Sequence, residues 1–167
     1  KINMALKKKK NEKKLPIKKV AILTSGGDAP GMNSAIRAIV KAAMWKGLEP
    51  YLVYEGYKGL TEGNIKPASN VNVDRFINQG GTFIYSARYP EFKDEKVRLK
   101  AKKQLDKMGI EALIVIGGDG SYHGAQLLHT IGVRTIGLPG TIDNDISSSD
   151  YTIGFFKDYI IKDKDGN

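Results

Sequence analysis

Apolar residues recur along this chain in two rhythms, and the rhythm changes at glycine. Lys19-Val20-Ala21-Ile22-Leu23-Thr24-Ser25 is a short apolar run that reads as a buried strand. After the turn 26–31, Met32, Ala35, Ile36, Ile39, Val40 and Ala43 recur at i, i+3, i+4, i+7, i+8 and i+11, which predicts a helix with one apolar face; Gly47 is its expected stop. Tyr51-Leu52-Val53-Tyr54 predicts a second strand, and strand–helix–strand order implies parallel pairing. Residues 56–70, with three glycines and a proline, read as a long surface loop. Val73–Asn78 reads as a short helix and Thr82-Phe83-Ile84-Tyr85 as a strand-like run. Asp94–Met108 predicts a charged helix with Val97, Ala101, Leu105 and Met108 inward, ended by Gly109. Ala112-Leu113-Ile114-Val115-Ile116 is continuous rather than alternating, which suits a strand covered on both faces. Gly120–Ile131 predicts a further helix and Val133–Leu138 the next strand. The fold class expected is α/β: an open, mostly parallel sheet with helices on both faces.

Composition changes this picture little. The 167 residues are 41% hydrophobic, enough for one domain with a core. There is no cysteine, so disulfides, thiolate metal sites and cysteine nucleophiles are excluded. No apolar run approaches about 18 residues, and the N-terminal lysines precede no apolar signal segment, so a cytoplasmic protein without a membrane partner is expected. The net charge of +9 is a tail effect: residues 1–19 hold nine lysines and Glu12, leaving +1 for the other 148 residues. Residues 1–18 read as a solvated, flexible arm rather than a nucleic-acid-binding one.

Three turns carry the candidate chemistry, and each follows a predicted strand. In Ser25-Gly26-Gly27-Asp28-Ala29-Pro30-Gly31, glycines and a helix N-terminus suit an anion, with Pro30 in the first helical turn; a tight connection without ligand is the alternative. Gly117-Gly118-Asp119-Gly120-Ser121 suits a phosphate cradle with a carboxylate near Mg²⁺; otherwise Asp119 is a helix cap. In Leu138-Pro139-Gly140-Thr141-Ile142-Asp143-Asn144-Asp145-Ile146, two carboxylates sit two apart on a stiff turn, as a hydroxyl-activating base requires; a solvated acidic turn is the alternative. Three such turns at the carboxyl ends of parallel strands mark the ligand crevice of open α/β sheets. Arg88, beside Tyr89-Pro90, is a candidate phosphate clamp. His123 and His129, six apart without ligand spacing, read as structural or surface residues rather than metal ligands, and Trp45 as core.

Together these stretches, with Gly80-Gly81-Thr82-Phe83, Ser86–Phe92 and Asp150–Phe155, resemble the ATP-dependent 6-phosphofructokinase family of bacterial type over about Lys19 to Phe156. The resemblance implies an ATP-binding domain at 19–156 and phosphoryl transfer from MgATP to the 1-hydroxyl of fructose 6-phosphate. It implies that Gly27, Arg88, Tyr89, Gly118, Asp119, Gly120 and Ser121 contact ATP, with Asp119 serving Mg²⁺. It makes Thr141, Ile142 and Asp143 the sugar contacts, Asp143 the base, Arg88 the stabiliser of transferring charge and Asp145 a support of metal and geometry. Glycine at 120 and 140, where pyrophosphate-using members tend to carry Asp and Lys, implies ATP as donor. Arg37 and Lys41 match an allosteric basic pair, with lysine where arginine is usual and Asn64 where a further arginine is expected. Family members are homotetramers. The 157–167 tail does not match, and the second, sugar-phosphate domain is expected to be absent. The expectation is therefore the N-terminal half of such an enzyme, with little turnover alone; the competing reading is a truncated, non-catalytic remnant or nucleotide-binding module.

Overall fold

The computed structural model describes residues 17–155. Most of the expected arm and the whole 157–167 tail lie outside the described residues. The elements run β1 (Lys19–Thr24), α1 (Met32–Trp45), β2 (Glu49–Val53), α2 (Gly56–Glu62), β3 (Ile65–Pro67), α3 (Glu95–Met108), β4 (Ala112–Gly117), α4 (Asp119–Thr130) and β5 (Arg134–Pro139). Short 3-10 turns lie at Ala68–Asn70, Val73–Phe76 and Pro90–Lys93. None of the described helices is long and apolar enough to cross a membrane.

The five strands form one sheet in the order β3-β2-β1-β4-β5. β1 pairs in parallel with β2 and β4, and β4 with β5; β3 is antiparallel at the edge. Because residues along a strand alternate in direction, β1 serves two cores. Ala21 and Leu23 join Leu113 and Val115 under α2, α3 and α4. Ile22 joins Leu52 and Ile116 under α1, with Met32, Ile36 and Val40. Each fully buried side chain of this size contributes about 1.5–3 kcal/mol of transfer free energy.

The predicted strands and long helices form, with ends shifted by a residue or two. Asp94 caps α3 by accepting from the Lys96 N–H at 2.8 Å, and Gly109 ends it in the left-handed conformation at φ 67°.

Four local expectations fail. Residues 56–70 are not a surface loop: they form α2 and β3, and they bury Tyr57, Leu60 and Ile65. Thr82–Tyr85 is not a strand. Ile84 is buried in the α1-side core with Phe83 packed against it, Tyr85 turns left-handed at φ 60°, and no described strand pairs with the segment. Val73–Phe76 is a 3-10 turn rather than a longer helix. Trp45 is 78% exposed, with the Lys46 ammonium 4.5 Å from its ring centroid. At 100° per residue it falls on the side of α1 away from the apolar stripe.

Candidate active site

The order β3-β2-β1-β4-β5 reverses direction between β1 and β4. The connection from β1 to β2 leaves α1 on one face, and that from β4 to β5 leaves α4 on the other. The turns after β1 and β4 therefore splay apart at the carboxyl end of the sheet and leave a crevice. Backbone bonds hold three turns side by side there. The Ser25 N–H donates to the Ile116 carbonyl at 3.0 Å, and the Gly140 N–H donates to the Gly117 carbonyl at 3.0 Å. Between them lies a cleft of about 810 Å³.

One wall of the cleft is Ser25–Asp28 and another is Gly118–Ser121 at the start of α4. Gly26 takes φ 84°, which a side chain would strain. Ser121 is buried, and its Oγ lies where a Cβ on Gly117 would have to sit. Its own N–H turns back on the Gly118 carbonyl at 3.0 Å, while those of Asp119 and Gly120 have no intrahelical partner. That end of α4 favours negative charge.

The third wall is the 87–93 segment, which brings Arg88 and Tyr89 to the cleft. It is tied down at both ends. The Ser86 hydroxyl donates to the Gly26 carbonyl at 2.7 Å. The buried Arg98 donates from Nη1 to the Phe92 and Lys93 carbonyls at 2.9 and 2.6 Å. Upstream, Asn33 holds the glycine pair by donating to the Gln79 and Gly80 carbonyls while accepting from the Phe83 N–H.

The fourth wall is Gly140–Asp143 with Asp145. The Asp143 N–H donates to the Thr141 hydroxyl at 3.2 Å. Between the two aspartates, Asn144 turns left-handed at φ 49°. Its side chain donates to the Asp150 carbonyl at 3.1 Å and accepts from the Thr152 N–H at 2.9 Å. The Thr152 hydroxyl returns a bond to the Thr141 carbonyl. Asn144 is thus bonded towards residues 150–152, while Asp143 and Asp145 line the cleft with Asp119.

Among the described residues no group of three or more His, Cys, Asp or Glu side chains is close enough to hold a metal alone. Mg²⁺ does not need such a cage. It takes one or two carboxylates and completes its shell with phosphate oxygens and water. Asp119, exposed beside the cradle, supplies a hard oxygen donor that fits this pattern.

The cleft thus gathers Gly27, Arg88, Tyr89, Gly118, Asp119, Gly120, Ser121, Thr141, Ile142, Asp143 and Asp145. Arg37 and Lys41 lie elsewhere. Arg37 Nε and Lys41 Nζ pair with the two carboxylate oxygens of Asp74 at 2.6 and 2.7 Å. The N-terminus of α1 is also not in the cleft, contrary to expectation. Pro30 lies outside the first helical turn, ahead of the cap residue Gly31, and the Asn33 N–H donates to the Gly81 carbonyl at 3.0 Å. Residues 153–154 pack so closely on Gly31 that a Cβ there would overlap the Ile153 backbone.

Sequence reasoning missed Tyr57, Phe92, Lys93 and Leu127, all of which line the cleft, as does the exposed His123. The i, i+3 pair Tyr57 and Leu60 was the available sign of α2, masked by the surrounding glycines.

Comparison with known proteins follows the same residues. A family model described as Phosphofructokinase matches residues 19–157. The ATP-dependent 6-phosphofructokinase of Mycoplasma mobile is 67% identical over 137 residues, which are 82% of this chain and 42% of that protein. That of Mycoplasmopsis pulmonis is 66% identical over 139 residues, 83% of this chain and 43% of that protein. Among solved structures, Pichia pastoris phosphofructokinase in the T-state superposes with a TM-score of 0.79 at 41% identity, covering 84% of this chain and 17% of that one. The chain therefore spans less than half the length of the curated relatives it matches.

Proposed function

We infer the function from one premise: the chain belongs to the phosphofructokinase family. Residues 19–156 act as its ATP-binding domain, and the reaction served is transfer of the γ-phosphoryl group of MgATP to the 1-hydroxyl of fructose 6-phosphate, giving fructose 1,6-bisphosphate and ADP. The observation that carries this reading is the shared cleft. Two glycine turns, an arginine and an acidic turn, separate in sequence, line one crevice of nucleotide size.

Phosphoryl transfer asks a protein mainly for positioning and for neutralisation of spread-out charge. The backbone at Gly27 and at Gly118, Asp119, Gly120 and Ser121 orients the phosphates. Tyr89 borders the nucleotide, and Arg88 lies against the group in flight. Asp119 would hold Mg²⁺, which supplies further charge neutralisation when bound. Thr141 and Ile142 seat the sugar. Asp143 accepts the proton of the attacking 1-hydroxyl, and Asp145 supports the geometry of the turn. Gly120 supports ATP as donor, because a Cβ there meets nothing within 4 Å and the space beside the cradle stays open. Gly140 has a different reason to be glycine: a Cβ would lie 2.8 Å from Ile116 Cγ2. An effector anion at Arg37 and Lys41 has to compete with Asp74. A cytoplasmic homotetramer belongs to the same proposal.

The test is calorimetric titration of the purified chain with MgATP. Saturable binding is expected, weakened about tenfold to a hundredfold in Arg88→Ala by loss of a charge-assisted contact. No binding overturns the reading. Turnover of fructose 6-phosphate that disappears in Asp143→Asn would place the base on this chain.

A further inference from the structure

Tyr57 is a buried phenol, 6% exposed, at the start of α2. Several features place it accurately. Glu55 and Gly56 turn left-handed at φ 60° and 57°, and a Cβ on Gly56 would lie 2.8 Å from the Thr24 carbonyl oxygen, so α2 starts hard against the end of β1. The Tyr57 ring stacks on Phe92 with centroids 4.2 Å apart and planes 22° from parallel. On its other side the ring fills the space over Gly124, where a Cβ would come within 2.8 Å of it. Its hydroxyl donates to the Ser121 carbonyl at 2.6 Å. Burial pushes the phenol well above its ordinary pKa, so it remains a donor at any working pH.

Packing alone does not call for that hydroxyl. A phenylalanine would still stack on Phe92 and lay its ring over Gly124. What the oxygen adds is a bond to the first turn of α4. Ser121 is thereby held from two directions: its Oγ sits against Gly117 at the end of β4 and Gly26 in the turn after β1, and its carbonyl is gripped from α2. A helix carbonyl has a second lone pair for such a bond.

We propose that Tyr57 is a positioning residue: through the Ser121 carbonyl it sets the direction of the first turn of α4, and so aims the Asp119 and Gly120 N–H groups at a nucleotide's phosphates. This rests on the nucleotide reading of the cleft. It predicts that the hydroxyl matters to phosphate recognition and not to the nucleoside.

The experiment compares the 167-residue chain with Tyr57→Phe, titrating each with ADP and with adenosine and following amide hydrogen exchange. ADP affinity is expected to fall about three- to tenfold, the scale of one net hydrogen bond, while adenosine affinity is unchanged. Exchange at residues 119–122 is expected to quicken, with β1 and β4 still protected. Equal ADP affinity in both proteins overturns the proposal. So does an equal loss for adenosine, which would make Tyr57 a wall of the pocket only. A parent chain that binds neither ligand fells the nucleotide reading, and this inference with it. Where Tyr57→Phe does not fold, Tyr57→4-aminophenylalanine keeps a para donor: ADP affinity equal to the parent's supports the proposal, and weakened affinity in a folded protein overturns it.

Discussion

The two glycine turns and the acidic turn border one cleft, but they hang from different kinds of strand. β1 and β4 are central and covered on both faces; Leu23, Leu113 and Ile116 are fully buried. β5 ends the described sheet on one side, as β3 does on the other, and Ile136 on it is 58% exposed. The two glycine turns therefore inherit their rigidity from the apolar core. The acidic turn depends on local polar bonds instead, chiefly those of Asn144 and Thr152. Chemistry on the nucleotide side and chemistry on the acceptor side can thus fail separately.

The largest test contrasts the strands themselves. Leu113→Ala removes a fully buried side chain and is expected to cost about 2–5 kcal/mol in denaturant unfolding. Ile136→Ala, on β5, is expected to change stability by about 0.5 kcal/mol or less. Similar losses at both positions would erase the distinction. A smaller effect comes from Asn144→Ala, which deletes two side-chain bonds at a left-handed residue. A local cost of about 1–2 kcal/mol is expected, read as faster hydrogen exchange over 141–152 with unchanged MgATP affinity. An affinity that falls in step would show that the two sides are not separable.

The smallest effect concerns Asp74. Hydrogen bonds from Lys41 and then Arg37 hold its carboxyl below the usual range. A depressed folded pKa adds stability above the unfolded value, about 4, and that stability is lost as pH falls through the folded one. The melting temperature of the parent should therefore drop slightly more than that of Asp74→Asn on acidification from about pH 5. Because the pair is exposed, salt should shrink the difference. Parallel acid curves would mean that Asp74 contributes nothing to holding the 73–76 turn on α1.

The failures of sequence reading share a cause with these contrasts. Helices α1 and α3 were legible because a long apolar stripe repeats over three turns or more. α2 was not, since seven residues with two glycines carry little periodic signal, and it packs on α3, β1 and β2 while Tyr57 reaches α4. Thr82–Tyr85 misled for the opposite reason: its β-prone residues serve as anchors, Ile84 in the α1-side core and Phe83 stacked on Phe76, rather than as a strand. In the candidate site, glycines and acids announced themselves in sequence. Tyr57, Phe92 and Leu127 did not, because an aromatic or leucine in a cleft looks the same as one in a core.

By itself the sequence determined the alternation of strands and helices, the parallel sheet and the three turns at its carboxyl end, together with the family those turns denote. These follow from short-range periodicity and from the connectivity that right-handed crossovers impose. Only the tertiary structure decided that α1's N-terminus is closed off while α4's is open, that Arg37 and Lys41 are occupied by Asp74, and that Tyr57 reaches the Ser121 carbonyl. Each depends on which distant segment arrives at a given backbone group or charge first, and residue spacing holds no record of that.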